Sequence, residues 1–402
     1  MTKNNISWSN FEAIHSNPRD TFEQLTRILF KRQFLDAPSV LVSSPNHPGT
    51  EANPIYSHKL DRYIAFQSKF FQNGVDYSQI QKSVEKTIEK YSHSLDAFYL
   101  YCNKDLSLDS KSFKKIENSL NEHDIEIVVI SNNEILATII DYPDLQSFFF
   151  GNQTITKERF REYNQLSFDS LGTRYNPKFN VVTGTDEKIQ LFTKNQSAID
   201  KINSKKSDII SELDTLYYIR NEDIISKIKN CINGLKDITV DSVDECLEWN
   251  SKVNQTLKSE LEELAVMKKS LETDIESDES LSKDERNRFY NKIREVDRLL
   301  EIIDFFGCSR EEYALITEKI LVVNGEAGMG KTQLLATATK EIMDNEGLSL
   351  LLLGHHYSAS NDISSQIMER LDFRGGLRNF LDILDILGEV ENKNIYILID
   401  AI

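Results

Sequence analysis

The sequence has few cysteines and no long apolar segment. Its four cysteines in 402 residues stand far apart, without paired spacing, which argues against a zinc site or a disulfide framework. No apolar run reaches the roughly 18 residues that a membrane helix needs. The N-terminus also lacks the basic and then apolar layout of a signal peptide. We therefore expect a cytoplasmic protein that does not enter a membrane.

Basic side chains are fewer than acidic ones, which gives a formal net charge of −17 at pH 7. A surface of that sign repels nucleic acid from most of the protein. The acidic excess lies mainly in the middle of the chain, where residues 200–312 hold 27 acidic and 18 basic side chains against 19 and 15 in residues 1–150. The N-terminal region is therefore free to contact DNA locally.

Length and composition predict an ordinary globular chain of several domains. Hydrophobic residues make up 40% and charged residues 28%, which is typical of a globular protein. At roughly 100 to 200 residues per domain, two or three domains are expected. We place boundaries at 1–150, 151–185, 186–310 and 311–402 from the changes in pattern along the chain.

Residues 1–150 alternate between helical and strand patterns. The expected elements are a helix from Pro18, strands at 39–43, 52–57 and 62–71, a helix at 77–91, a strand at 97–102, a helix at 112–122 and a strand at 125–131. This alternation predicts an α/β sandwich.

Residues 151–185 form a connector, and residues 186–310 are almost wholly helical in pattern. Two apolar stripes with steps of three and four residues, at 257–275 and 289–303, predict an antiparallel, coiled-coil-like helical hairpin. Capping boxes are expected at Ser242 with Glu245 and at Ser282 with Glu285. We favour an intramolecular core for the stripes over a partner-binding face.

The segment 311–402 returns to an α/β pattern and contains a P-loop. Gly325, Gly328, Gly330, Lys331 and Thr332 belong to the sequence GEAGMGKT, which follows the expected strand ILVVN and precedes a helix from Thr332. The glycines let backbone N–H groups surround phosphates, and the helix N-terminus adds its positive dipole end. We expect ATP to bind here.

Two side chains and one strand complete the expected nucleotide site. Lys331 would reach the β- and γ-phosphates, and Thr332 would place its hydroxyl on Mg²⁺. A further strand, NIYILID, ends at Asp400, which would hold the Mg²⁺ shell. The order of GEAGMGKT and ILIDA resembles the STAND class of NTPases, the NACHT-like switch ATPases, so 311–402 is expected to be the N-terminal part of a P-loop domain.

The N-terminal region carries a second constellation. Gln67 and Lys69 lie two positions apart on one expected strand, Glu51 follows the turn PNHPGT, and Glu23 lies on the first helix. A Q-x-K pair in this order of elements resembles the PD-(D/E)xK nuclease superfamily, especially its Mrr-like branch. The resemblance implies a restriction-endonuclease-like sandwich.

The same resemblance implies roles for these four residues. Glu51 and Gln67 would bind Mg²⁺, Lys69 would orient the attacking water, and Glu23 would complete the outer shell of the metal. Glu51 stands where this family usually has Asp. Gln67 adds no charge, so the site would depend more on Glu51 and Glu23.

Joined in one chain, NHPGTE, FQSKFF, LGTRYNPKFNV and GEAGMGKT resemble the bacterial antiviral STAND (Avs) proteins with an N-terminal nuclease. The resemblance implies a DNA substrate, ATP-dependent homo-oligomers, and a phage protein trigger sensed by a part expected beyond Ile402. Two other readings stay open: an ATP-switched scaffold whose N-terminal domain is not catalytic, and a restriction-type enzyme that uses the NTPase as a motor.

Overall fold

The computed structural model describes most of the chain in ten ranges. They are residues 6–35, 49–151, 155–176, 184–219, 223–239, 246–278, 280–304, 309–326, 328–358 and 360–400. The expected strand 39–43 and the capping box of Ser242 with Glu245 lie outside them. The described parts form two compact units, one from residues up to 166 together with 353–395, the other from 167–352 together with 396–400.

The first unit contains a four-stranded sheet with helices on its faces. Its elements up to residue 150 are α1 (Trp8–Ile14), α2 (Pro18–Phe34), β1 (Ile55–Ser57), β2 (Arg62–Lys69), α3 (Tyr77–Tyr91), β3 (Ala97–Cys102), α4 (Lys111–Asn121), β4 (Glu126–Ile130), α5 (Asn132–Ile140) and α6 (Pro143–Phe150). The strand order is β1-β2-β3-β4. β1 and β2 are antiparallel, whereas β2, β3 and β4 run parallel.

Strand β3 is buried along its whole length, and its side chains alternate between the two faces of the sheet. Phe98 and Leu100 pack with residues of α3 and α4, while the ring of Tyr99 meets Phe30 of α2 on the opposite face. Because successive side chains point to opposite faces of a strand, one buried strand serves both layers. The expected α/β architecture is confirmed at this level.

Several expected boundaries shift in the first unit. The strand expected at 52–57 is limited to β1, and β2 ends at Lys69 rather than at Phe71. Beyond it, the side chain of Asn103 brackets the backbone of Phe71, accepting from its N–H at 2.8 Å and donating to its carbonyl oxygen at 3.1 Å. These side-chain hydrogen bonds replace a strand ladder. Helix α1 was not expected.

The remaining elements are mostly helical. They are α7 (Lys157–Leu171), α8 (Gly184–Phe192), α9 (Gln196–Thr215), α10 (Asp223–Gly234), α11 (Cys246–Ser277), α12 (Lys283–Asp304), α13 (Arg310–Thr317), α14 (Lys331–Asp344), β5 (Leu348–Leu353), α15 (Ile363–Arg370), α16 (Leu377–Glu391) and β6 (Ile395–Asp400). The segment 151–185, expected as a connector, therefore contains the 15-residue helix α7. None of the helices in the described ranges combines the length and hydrophobicity required to cross a membrane.

The expected helical hairpin is confirmed in the second unit as α11 and α12. Leu257, Leu264, Val296 and Ile303 are buried in one cluster together with isoleucines of α9 and α10. The apolar stripes thus form an intramolecular core. Ser282 and Glu285 make both hydrogen bonds of the expected capping box.

The strand expected at Ile320–Asn324 is wrong. The segment has no strand structure, and Ile320 and Val322 are about 80% exposed. A strand is stable only when it pairs with neighbours, and among the described residues the second sheet contains only β5 and β6. The helix expected from Thr332 and the strand NIYILID are present as α14 and β6, each starting one residue from its expected limit, and β5 lies between them in the chain.

Candidate functional site

A tight turn holds Glu51 beside β2. Gly49 has a φ of +84°, and a Cβ at this position would lie 2.3 Å from the carbonyl oxygen of Ser83 and 2.4 Å from Oγ1 of Thr87. Only glycine fits both the backbone conformation and this approach to α3. Two residues later the N–H of Glu51 donates to the carbonyl oxygen of Phe66 at 2.9 Å. The turn therefore sets Glu51 alongside β2, beyond the short partner strand β1.

The carboxylate of Glu51 is bonded to the strand that carries the Q-x-K pair. Its Oε1 accepts from the backbone N–H of Ser68 at 2.9 Å and from Nε2 of Gln67. The same Nε2 donates to the carbonyl oxygen of Ser68 at 3.2 Å. Glu51 and Gln67, 16 residues apart in sequence, thus meet at one point of the fold.

Helix α2 brings Glu23 to the same place. The carboxyl groups of Glu23 and Glu51 lie close enough to influence each other's pKa directly. The docking of α2 is fixed nearby, where the hydroxyl groups of Thr26 and Ser68 are in contact. A charge on one carboxyl group disfavours ionisation of a second one nearby.

Both carboxyl groups of this pair have a pKa above the ordinary range of carboxylic acids. Burial, and after it the charge of Glu23, raise the pKa of Glu51 to about 7. Burial also raises the pKa of Glu23, an effect that the guanidinium of Arg27 opposes. Because the two groups interact strongly, they titrate as a pair.

Lys69 completes the constellation. It lies two positions after Gln67 on β2, so both side chains leave the same face of the strand. Burial lowers the pKa of its ammonium group, and the carboxylate of Glu51 opposes this. All four residues predicted from the sequence, Glu23, Glu51, Gln67 and Lys69, therefore lie together.

The donor set suits a hard cation but is small. Within the described ranges, no three or more histidine, cysteine, aspartate or glutamate side chains converge in a way that could hold a metal ion. The oxygen donors here are the carboxylates of Glu23 and Glu51, the amide oxygen of Gln67 after a rotation of its amide plane, and the carbonyl oxygen of Ser68. Oxygen ligands of this kind are those preferred by Mg²⁺. Two buried, repelling carboxyl groups would also be relieved by a cation.

The described glycines of the turn that the sequence predicts to be a P-loop are exposed. Gly328 and Gly330 have φ values of +84° and +80°, in the left-handed region that favours glycine. Gly330 is the N-cap of α14 and offers no side chain to its first turn. The N–H groups at this helix end are therefore available to a phosphate.

Lys331, Thr332 and Asp400 are arranged around this turn. The ammonium of Lys331 donates to the carbonyl oxygens of Gly325 at 2.6 Å and Glu326 at 2.8 Å, so it lies over the loop. Oγ1 of Thr332 donates to Oδ2 of Asp400 at 2.7 Å, although the two residues are 68 positions apart. The hydroxyl and the carboxylate that were expected to share an Mg²⁺ thus touch each other.

Two contacts were not anticipated from the sequence. Nη2 of Arg27, one helical turn after Glu23, donates to the carbonyl oxygen of Val390 in α16 at 2.8 Å. In the second unit the side-chain amide of Gln333, next to Thr332, accepts from the N–H of Asn176 at 2.9 Å and donates to its carbonyl oxygen at 3.1 Å. The spacing of Arg27 from Glu23 in the sequence could have indicated that Arg27 lies near the site. Nothing in the sequence indicates its partner in α16 or the contact of Gln333 with the connector.

Comparison with known proteins identifies no family. No protein-family model matches the chain, and neither does any curated protein.

Proposed function

We propose that the protein is an antiphage defence effector: an Mg²⁺-dependent DNA endonuclease that is switched by ATP-dependent oligomerisation of a STAND-type NTPase. The observation that carries the nuclease half is the meeting of Glu51, Gln67 and Glu23 beside Lys69. These residues come from a loop, a strand and a helix. Convergence of side chains with complementary roles is the geometric criterion for a catalytic site.

In the nuclease half, Glu51 and Glu23 would hold Mg²⁺ together with the amide oxygen of Gln67. When bound, the cation polarises the scissile phosphate and lowers the pKa of a water ligand. Lys69 supplies a positive charge against the charge that develops on the phosphate. Its lowered pKa suits a lysine that also orients water by hydrogen bonds.

In the switch half, the glycine-rich turn and the start of α14 would hold the phosphates of ATP, with Lys331 facing the terminal phosphates. The contact between Thr332 and Asp400 supports a shared Mg²⁺ at this site. We propose that ATP-bound chains assemble and align their nuclease sites, and that a phage protein triggers the assembly.

A second candidate is an ATP-switched scaffold with a non-catalytic N-terminal unit. The observation that favours it is the lack, among the described residues, of any site with three or more acidic, histidine or cysteine ligands. A catalytic nuclease would have to hold Mg²⁺ with two carboxylates and neutral oxygens.

One assay separates the two candidates. Supercoiled plasmid is incubated with increasing concentrations of the chain, with and without Mg²⁺ and ATP, beside Glu51→Gln and Lys69→Ala. Since no trigger is added, we expect Mg²⁺-dependent nicking only where ATP and high protein concentration drive assembly, and both substitutions should abolish it. Cleavage that survives both would place the activity elsewhere. Tight ATP binding and ATP-dependent assembly without any metal-dependent cleavage would support the scaffold.

A further inference from the structure

The candidate nuclease site has exposed cations on two sides. One is Arg19, which lies in the first turn of α2, four residues before Glu23. Positions four apart lie on the same face of a helix, about 6 Å apart along its axis. Arg19 is exposed and is thus held at the rim of the site by the helix that carries Glu23.

The other cation is Lys86 of α3. It is exposed and directly precedes Thr87, whose Oγ1 lies within 2.4 Å of a Cβ placed on Gly49. The turn that leads to Glu51 therefore packs against the same part of α3 that carries Lys86. Two different helices, each in contact with the site, thus present one cation each.

Both cations are available to a ligand. No hydrogen bond or ion pair among the described residues engages the guanidinium of Arg19 or the ammonium of Lys86. Nearby acids are partly occupied elsewhere, since Asp20 accepts from Asn17 and Glu85 accepts from Gln81. Glu89 remains as an exposed acid on α3.

The charges of Arg19 and Lys86 also interact with the candidate site. Lys86 and Arg19 both lie within electrostatic range of the ammonium group of Lys69. Salt screens the interaction between charges across a partly buried site only weakly. A polyanion bound at Lys69 would meet Arg19 and Lys86 as well.

We propose that Arg19 and Lys86 bind phosphate groups of the DNA backbone on either side of the scissile bond. The inference rests on the proposed nuclease function and assigns its substrate-binding surface. Arginine and lysine are the usual partners of backbone phosphates, and such contacts fix the register of the duplex without reading its sequence. This local binding surface reconciles a DNA substrate with a protein of net charge −17.

The test is the salt dependence of DNA binding by the full chain. Fluorescence anisotropy with a labelled duplex is measured at several salt concentrations, with Ca²⁺ in place of Mg²⁺. The double variant Arg19→Gln/Lys86→Gln is compared with Lys111→Gln/Lys115→Gln, which removes two exposed charges from α4. Each lost phosphate contact lowers the slope of log K against log [salt] by about 0.9. We expect the slope to fall by roughly 2 in the first variant and to stay unchanged in the second.

Equal slopes and affinities for both double variants would overturn the inference while leaving the nuclease proposal intact. A wild-type chain that neither binds nor cleaves DNA would overturn both. The charge-conserving variant Arg19→Lys/Lys86→Arg should retain the wild-type slope of log K against log [salt]. A smaller slope for this variant would show that the charge of these two residues does not account for DNA binding. Fluorescence of Trp8, in α1 of the same unit, checks that each variant is folded.

Discussion

Replacement of Glu51 by glutamine should stabilise the first unit at pH 8 and leave it nearly unchanged at pH 5. A rise of the Glu51 pKa from 4.5 to about 7 corresponds to about 3 kcal/mol, because a tenfold change in proton affinity is worth about 1.4 kcal/mol. The folded state holds the proton more tightly than the unfolded state. Stability is therefore complete below pH 4.5, falls as the pH rises towards 7, and stays low above it.

Glutamine removes this penalty because it imitates the protonated acid. Its amide oxygen can accept from the N–H of Ser68, and its amide nitrogen can donate to the carboxylate of Glu23 at every pH. The variant should therefore show a nearly flat profile between pH 5 and 8. Since Glu23 and Glu51 titrate as a pair, the wild-type transition should be broader than that of a single group.

The assay is urea unfolding followed by the fluorescence of Trp8, with Trp249 replaced by Phe. A probe confined to the first unit is needed because a chain of two units does not unfold in one step. Glu89→Gln, an exposed charge change on α3, is the control and should follow the wild-type profile. Mg²⁺ should narrow the difference between wild type and Glu51→Gln at pH 8, because a bound ligand stabilises the folded state. Parallel pH profiles for wild type and Glu51→Gln would refute the buried-pair reasoning.

Three further substitutions test other parts of the structure. Lys331→Ala should weaken ATP binding by roughly 10- to 100-fold through loss of a charged contact, measured by fluorescence titration, whereas Lys340→Ala on the same helix should not; equal affinities would remove the P-loop assignment. Lys69→Ala should slow metal-dependent plasmid cleavage by about 100-fold or more without affecting ATP binding, and Lys82→Ala serves as its control. Gly49→Ala should destabilise the first unit by roughly 1–3 kcal/mol in urea unfolding, because of its positive φ and its contact with α3, whereas Gly74→Ala, with nothing within 4 Å of its Cβ, should have little effect.

Local patterns predicted the elements that their own residues stabilise. Helix α3 and strand β3 fall at the expected limits, because an amphipathic face and a fully apolar strand are visible in a single segment. The capping box at Ser282 is equally local. The segment Ile320–Asn324 shows the opposite case, since an apolar, β-branched sequence becomes a strand only through the neighbours it pairs with.

The residues of the candidate site could be predicted from the sequence, but the interactions between them could not. The Q-x-K spacing and the turn before Glu51 identify four residues. They do not show that the carboxyl groups of Glu23 and Glu51 interact, because that depends on how α2 docks against β2 through Thr26 and Ser68. The bond from Arg27 to Val390 spans 363 residues, a separation at which sequence patterns carry no information on contacts.

The neutral Gln67 is consistent with this arrangement of charges. Burial and the charge of Glu23 already raise the pKa of Glu51 to about 7. A third carboxylate at position 67 would add repulsion and desolvation to a pair that is already costly to ionise. An amide instead donates to Glu51 and to the carbonyl oxygen of Ser68, and after rotation of its plane it offers an oxygen to a cation. The side chain of Gln67 can therefore stabilise the folded site when no metal is bound and act as a ligand when Mg²⁺ is bound.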